Sequence, residues 1–155
     1  MGVIVFDLDQ TVVDSSHRTP RLGNGDVDVE QYIRFQTEEY IRKDSLLPIS
    51  QIMLNSYSDH HIVVCTARCM TDFDYIFLDR TLGLRWHEMY ERGTCDPLIS
   101  KLPDEEYKAA CLDKFVAGGF TFYDDNDAVI SRFSSIKGVH MIDAKIENAR
   151  LTSTS

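Results

Sequence analysis

No apolar stretch in this 155-residue chain approaches the ~20 residues that a bilayer-spanning helix needs. The N-terminus enters an apolar segment at once, with neither the basic region nor the small-residue cleavage site of a secretory leader. A soluble, cytoplasmic protein without a membrane partner is therefore expected. Positive charge is scarce: 16 Lys and Arg face 25 Asp and Glu, a formal net charge of −9. Long nucleic acid tracks are held mainly by neutralising phosphates, so this balance disfavours them, while leaving room for a local basic pocket. The four cysteines, Cys65, Cys69, Cys95 and Cys111, lack zinc-type spacing. Buried free thiols in a reducing compartment are the expectation. Internal repeats and low-complexity tracts are absent too.

What is present is the composition of an ordinary globular domain, 43% hydrophobic and 26% charged, long enough for one proper core. Five short strand candidates alternate with helical stretches: Val3–Asp7, Ile62–Thr66, His87–Glu91, Phe120–Tyr123 and Val139–Ile142. Such alternation implies an α/β fold, a parallel sheet with helices on both faces. About 45 residues separate the first two strands, long for one crossover helix. Within them, residues 15–28 are polar and contain Pro20, Gly23 and Gly25, which predicts an ordered loop over the site. Val29 to Lys43 reads as helical, with Tyr32, Ile33, Phe35, Gln36 and Tyr40 near helical spacing. Pro48 suits the first turn of a helix over Ile49–Tyr57. The insert, about residues 15–60, reads as a small cap or an elaborated crossover. Further helices are expected over Asp72–Leu82, with Phe73, Ile76, Phe77 and Leu82 forming a core stripe, and over Asp104–Phe115, ended by Gly118-Gly119.

Asp7 and Asp9 follow the β-branched and aromatic run Val3 to Phe6. A strand of that composition is buried, and its carboxyl end is where open α/β sheets place their sites. Two carboxylates one residue apart repel each other and call for a cation or a proton. One of them can serve as a nucleophile while the other carries a proton. The bland alternative is a strand followed by an Asp/Thr helix cap or turn.

The segment Asp7-Leu8-Asp9-Gln10-Thr11 resembles the first motif of the haloacid dehalogenase (HAD) superfamily of phosphohydrolases. Three more segments resemble that family's later motifs in the right order: Ile62 to Arg68, ending in Thr66-Ala67-Arg68; Lys108 after Asp104-Glu105-Glu106-Tyr107; and Phe120 to Asp127, ending in paired aspartates. The resemblance implies a Rossmann-like, three-layer sandwich with a central parallel sheet. By resemblance, Asp7 attacks phosphorus to form an aspartyl phosphate, and Asp9 protonates the leaving alcohol and then activates water. A raised pKa for Asp9, from the surrounding negative charge, is expected with that role. Mg²⁺ would bridge Asp7, the backbone carbonyl of Asp9 and Asp124, with Asp125 acting through water or a hydrogen bond. Lys108 would sit between nucleophile and phosphate, in preference to Lys101 or Lys114. Thr66, with backbone amides around Leu8 and Ala67, would hold the phosphoryl oxygens. Asp127 reads either as a metal ligand or, preferably, as the cap of a helix over Ala128–Phe133. Gln10 stands where the family usually has glycine, a residue that permits backbone shapes others resist.

For the substrate, Thr66-Ala67-Arg68 and the stretch from Glu88 to Gly93, then Asp96, resemble the 3′-phosphatase half of phage polynucleotide kinase and small phage-encoded relatives. Arg68 and Arg92 would then grip a phosphate or stack on a base; pairing with acids is the alternative. His17 with Arg18, and Tyr32 with Phe35 and Tyr40, are candidates for reading a base, the second cluster being equally compatible with core. The expectation is a Mg²⁺-dependent phosphomonoesterase on nucleotides, in a monomer or small homo-oligomer. A polynucleotide 3′-phosphatase, a non-catalytic phosphate- or metal-binding module, and a phosphotransferase or dehalogenase of the same fold are the alternatives. Asp9 counts against dehalogenation.

Overall fold

The computed structural model describes residues 2–19, 21–24 and 26–153; Pro20 and Gly25 of the expected loop lie outside the described residues. The chain begins with β1 (Val3–Phe6) and β2 (Val13–Asp14), followed by a 3-10 turn over Ser16–Arg18. Two short helices, α1 (Val29–Arg34) and α2 (Glu38–Ile41), lead to β3 (Ser45–Leu46). Then come α3 (Ile49–Ser56), β4 (His61–Cys65), α4 (Asp72–Ile76), a π-helical turn over Phe77–Thr81, β5 (Glu88–Tyr90) and α5 (Pro97–Ser100). The chain closes with α6 (Asp104–Val116), β6 (Phe120–Asp124), α7 (Asp127–Ser134), β7 (Val139–Asp143) and α8 (Ala144–Ser153). Each strand of the main sheet falls within one residue of its expected bounds.

That sheet is parallel throughout, in the order β5-β4-β1-β6-β7. Successive strand residues point to opposite faces, and the core divides accordingly. Phe6, Ile62, Val64 and Tyr123 pack with Ile49 and Met53 of α3, Leu78 and Ala144. Val5, Val63, Cys65 and Phe122 pack with Tyr107 and Leu112 of α6 and Phe133 of α7. The result is the expected three-layer α/β sandwich. β1 is the central strand, and its end opens beside the ends of β4 and β6.

β2 and β3 pair antiparallel, Val13 with Leu46 and Asp14 with Ser45. The chain thus leaves and re-enters the sandwich through a two-stranded stem that brackets residues 15–44. α3 belongs to the sandwich: the backbone N–H of Ile49 donates to Asn148 Oδ1 on α8 at 2.9 Å. Pro48 occupies the N-cap of α3.

Three helical expectations are corrected. Val29–Lys43 is two helices, because Thr37 is extended (φ −123°, ψ 158°) and starts α2 afresh, with the Phe35 and Tyr40 rings in tilted contact, centroids 4.6 Å apart, across the break. The stripe on Asp72–Leu82 is interrupted where Leu82 N–H bonds back to Phe77 O across the π-helical turn, leaving Ile76 half exposed and Leu78 buried. Asp127 is not the cap of α7: Asn126 is, its Oδ1 accepting from Ala128 N at 2.9 Å and Val129 N at 3.2 Å. Asp127 is the first helical residue and pairs with Lys145 at 3.0 Å, outside the carboxylate cluster at the sheet edge. The thiol expectation holds in part, since Cys65 is buried but Cys69 is exposed.

Gly119 turns the chain from α6 into β6 at φ +74°, where an added Cβ would sit 2.9 Å from the backbone oxygen of Gly138. Both the left-handed backbone and the clash penalise a side chain, so Gly119→Ala is expected to cost about 2 kcal/mol or more. A denaturant midpoint unchanged from the parent would contradict that.

Candidate active site

Asp7 extends β1 by one ladder bond, its N–H donating to Tyr123 O at 3.0 Å. Strand alternation puts its side chain on the face of Val5, the face covered by α6. There Lys108, only 2% exposed, donates to Asp7 Oδ1 at 2.9 Å and to Asp124 Oδ2 at 2.7 Å. Lys101 is exposed and Lys114 lies over the Tyr90 ring at 4.4 Å, so Lys108 is the lysine brought to the aspartates. Thr11 Oγ1 donates to the other oxygen of Asp7 at 3.2 Å. Tyr107 OH, one residue before Lys108, donates to Thr66 O at 2.9 Å and ties α6 to the end of β4. Thr66 is buried, and its hydroxyl accepts from Arg68 N at 3.1 Å. Leu8 is buried, and its carbonyl accepts the N–H groups of Thr11, Val12 and Val13. Gln10 adopts φ 62°, the left-handed shape expected where glycine is usual, and its amide donates to Ser15 Oγ at 3.3 Å.

Asp7, Asp124 and Asp125 each offer a carboxylate oxygen within 4.8 Å of the others. Burial first, and Asp124 next, push Asp7 well above the usual carboxylate range against the pull of Lys108. Burial and Asp124 raise Asp125 to about 6. Burial opposes the charge on Lys108, yet Asp124 and Asp7 hold it protonated well above the usual lysine range. Three acids against one ammonium leave negative charge uncompensated. The donor set is carboxylate oxygen alone, which suits Mg²⁺ and not zinc. These residues therefore fit a hard divalent cation. Because Asp7 and Asp125 titrate above their unfolded values, the native state holds extra protons at low pH. Metal-free protein should lose stability as pH rises from about 4 through about 6. Asp9 acts oppositely, but only below about pH 4. Mg²⁺ is accordingly expected to raise the melting temperature more at pH 7 than at pH 5, where protons compete with it. Equal shifts at the two pH values would contradict this.

Asp9 departs from expectation. Burial disfavours its charge, but Arg68, by charge and hydrogen bonds, with help from Arg18 and Ser15, lowers it to about 2. Arg68 Nε donates to both Asp9 oxygens, at 3.1 and 2.9 Å, and Nη2 donates to Oδ1 at 2.7 Å. Ser15 Oγ donates to the same Oδ1 at 2.6 Å. The expected grip of Arg68 on phosphate or a base is corrected: it is 1% exposed, bonded also to Asp74 and Asp44, and does not line the cavity. Arg92 does line the cavity, but donates to the carbonyls of Ser100 and Leu102 and to Asp104 Oδ1 at 2.6 Å. Its guanidinium lies 4.3 Å from the Tyr107 ring centre, which makes it a brace for α6. His17 and Arg18, candidates for reading a base, both bond Asp44 instead.

Above the aspartates lies a cavity of about 680 Å³. Its floor includes Asp7, Lys108 and Asp124, and its insert wall includes Val27, Val29 and Tyr32. Ala67 and Lys145 also line it. The sequence reading missed Asp44 and Asp74, whose partners are 24 and 6 residues away from them at Arg68. Asp74 was legible in principle: it closes a capping box with Thr71.

A family model described as bacteriophage T5 5′-deoxynucleotidase matches residues 1–154. The 5′-deoxynucleotidase of Escherichia phage T5 is 28% identical over 94% of this chain and 68% of its own length. Among solved structures, a haloacid dehalogenase-like family hydrolase from Streptococcus pneumoniae superposes with a TM-score of 0.66 at 14% identity, covering 92% of this chain and 84% of that one. That likeness shows the fold. With the sheet order, the aspartates at the ends of β1 and β6, and a family match spanning nearly the whole sequence, the chain belongs to the bacteriophage T5 5′-deoxynucleotidase family.

Proposed function

We propose that the protein hydrolyses nucleoside 5′-monophosphates, deoxynucleotides foremost, through an aspartyl phosphate on Asp7. By family the chain is a phosphatase; the substrate and the residue roles are the proposal. The observation that carries it is Lys108 bridging Asp7 and Asp124 on the floor of a cavity wide enough for a nucleotide.

Asp7 presents a carboxylate at the cavity floor, oriented by Lys108 and Thr11, to attack phosphorus in line with the departing 5′ oxygen. Lys108 remains charged and offsets the negative charge of the phosphoryl group. Thr66, with backbone amides at Leu8 and Ala67, holds the phosphoryl oxygens. Asp9 is held ionised in the substrate-free site, so its acid role requires the arriving phosphate dianion to raise its proton affinity. In the second step an ionised Asp9 is already in the form that takes a proton from water. Asp7, Asp124 and Asp125, with the backbone carbonyl of Asp9, would hold Mg²⁺, which when bound neutralises carboxylate and phosphoryl charge. Of the insert expected at about 15–60, residues 15–44 act as a small cap on a single domain, while α3 packs into the sandwich, and Tyr32 and Val29 face the nucleoside.

The polynucleotide 3′-phosphatase reading is less supported. Its expected cations are engaged inside the protein, and Asp26, Asp104 and Asp127 border the cavity. The test is phosphate release with Mg²⁺, with and without chelator. The panel holds deoxy- and ribonucleoside 5′-monophosphates, nucleoside 3′-monophosphates, a sugar phosphate and a 3′-phosphorylated oligonucleotide. Chelator-sensitive release, fastest from the deoxynucleoside 5′-monophosphates, is expected. Preference for the oligonucleotide would replace this reading with end processing, and no release from folded, Mg²⁺-bound protein would favour a binding module.

A further inference from the structure

Between the insert and the sheet lies a cluster of charged side chains with almost no access to solvent. Arg18 is 0%, Arg68 1%, Asp74 1% and Asp44 5% exposed. Asp44 is the last insert residue before β3. It accepts from Arg18 Nε at 2.9 Å and Nη2 at 2.8 Å, from Arg68 Nη2 at 3.2 Å, and bonds His17 Nε2 at 2.8 Å. Arg68, just beyond β4, carries the chain of contacts onward to Asp9 and, through Nη1 at 3.1 Å, to Asp74. Asp74 is itself fixed, because its Oδ2 accepts from the backbone N–H and the hydroxyl of Thr71.

Burying ionised groups is costly, and apolar residues of similar volume often do better for stability alone. What a planar guanidinium adds is direction: its fork fixes the plane and bearing of a carboxylate. Arg68 meets Asp9 with Nε and Nη2, the edge of the fork, and its own rotation is limited by Asp74 at Nη1 and by Asp44, which shares Nη2 with Asp9. Asp74 belongs to α4, but Asp44 belongs to the insert. The cap is therefore wired to Asp9 by a continuous set of charged hydrogen bonds, rather than merely covering it.

We propose that Asp44 is a positioning residue: by anchoring Arg68 from the insert, it fixes the orientation in which the Asp9 carboxylate faces the leaving-group oxygen. This rests on the reading of Asp9 as the acid that protonates the leaving alcohol. Its signature is dependence on the leaving group. A nucleoside alkoxide needs a proton as it departs, whereas p-nitrophenolate departs without one. An effect confined to folding, or to the amount of active enzyme, lowers both activities equally.

The experiment compares kcat/KM for a deoxynucleoside 5′-monophosphate and for p-nitrophenyl phosphate in the parent, Asp44→Asn, Asp44→Glu and Asp9→Asn. kcat/KM covers the steps up to the phosphoenzyme, where the acid acts. The nucleotide-to-aryl ratio should fall about 10-fold or more in Asp44→Asn, and further in Asp9→Asn, within the range that general acid catalysis spans. Asp44→Glu, which keeps the charge at a different reach, should show a smaller fall of the same kind. It decides the question if the Asp44→Asn variant proves incompatible with folding. A reduced ratio in Asp9→Asn with an unchanged ratio in the Asp44 variants would overturn the role of Asp44 and leave the acid reading intact. An unchanged ratio in Asp9→Asn would overturn both.

Discussion

Asp7→Asn is expected to abolish phosphate release while leaving a folded and, without metal, more stable protein. Asparagine keeps the shape and can still accept a hydrogen bond from Lys108 or Thr11 through its carbonyl oxygen. It has no anionic oxygen with which to form an acyl phosphate, so the fall should be on the order of 10⁴-fold or more, the scale on which nucleophile removal acts elsewhere. The stability gain has a separate origin. Burial and the Asp124 charge already make an ionised Asp7 unfavourable, so a neutral side chain relieves strain in the metal-free cluster. Removing a group that merely packs would produce the opposite sign. Thermal melts in chelator, beside steady-state phosphate release, read both effects. Residual turnover near the parent rate would remove Asp7 from the role of nucleophile.

Lys108→Ala should damage both function and stability. The ammonium is the shared partner of two carboxylates that are 8% and 0% exposed. Breaking such a buried pair by deleting one side leaves uncompensated charge, with a cost of about 3–5 kcal/mol when the remaining groups stay ionised. Partial protonation of Asp7 moderates that cost, and the deficit should therefore grow with pH. Activity should fall by about 10³-fold, because a fixed donor aimed at developing charge is lost. Lys108→Met, which preserves much of the volume, separates the two losses: it should fold better than the alanine variant and remain as inactive. A mild loss of activity in both would show that Lys108 supports α6 rather than phosphoryl transfer.

Legibility in the sequence followed the physics of each element. Val3–Phe6, Ile62–Cys65 and Phe120–Tyr123 are buried on both faces, so their β-branched and aromatic runs mark them without ambiguity. Asp7, Lys108 and Asp124 come together because the two aspartates lie at or just beyond the ends of the adjacent strands β1 and β6, a place the topology determines. The insert was harder to read. Val29 and Ile33 hold helical spacing but are 63% and 66% exposed, so an apolar stripe there does not mark a core face. Residues 29–43 break into two helices that no core contact would have forced to be one. The pairing of Arg68 with Asp9, 59 residues apart, and with Asp44 has no local signature. Charge counting near Asp9 therefore gave the wrong direction for its pKa: the neighbouring acids were visible, the buried guanidinium was not.

The most direct test of the central claim is mass spectrometry of acid-quenched enzyme during the first turnover of a deoxynucleoside 5′-monophosphate with Mg²⁺. Where the first step must not be slowed as well, the Asp9→Asn variant is used with p-nitrophenyl phosphate, whose leaving group needs no proton, so that the phosphoenzyme still forms while its hydrolysis slows. Phosphate is expected on the peptide carrying Asp7, and none when Asp7→Asn is added. Product formation with no phosphate on the enzyme, or with phosphate on a peptide lacking Asp7, would contradict it.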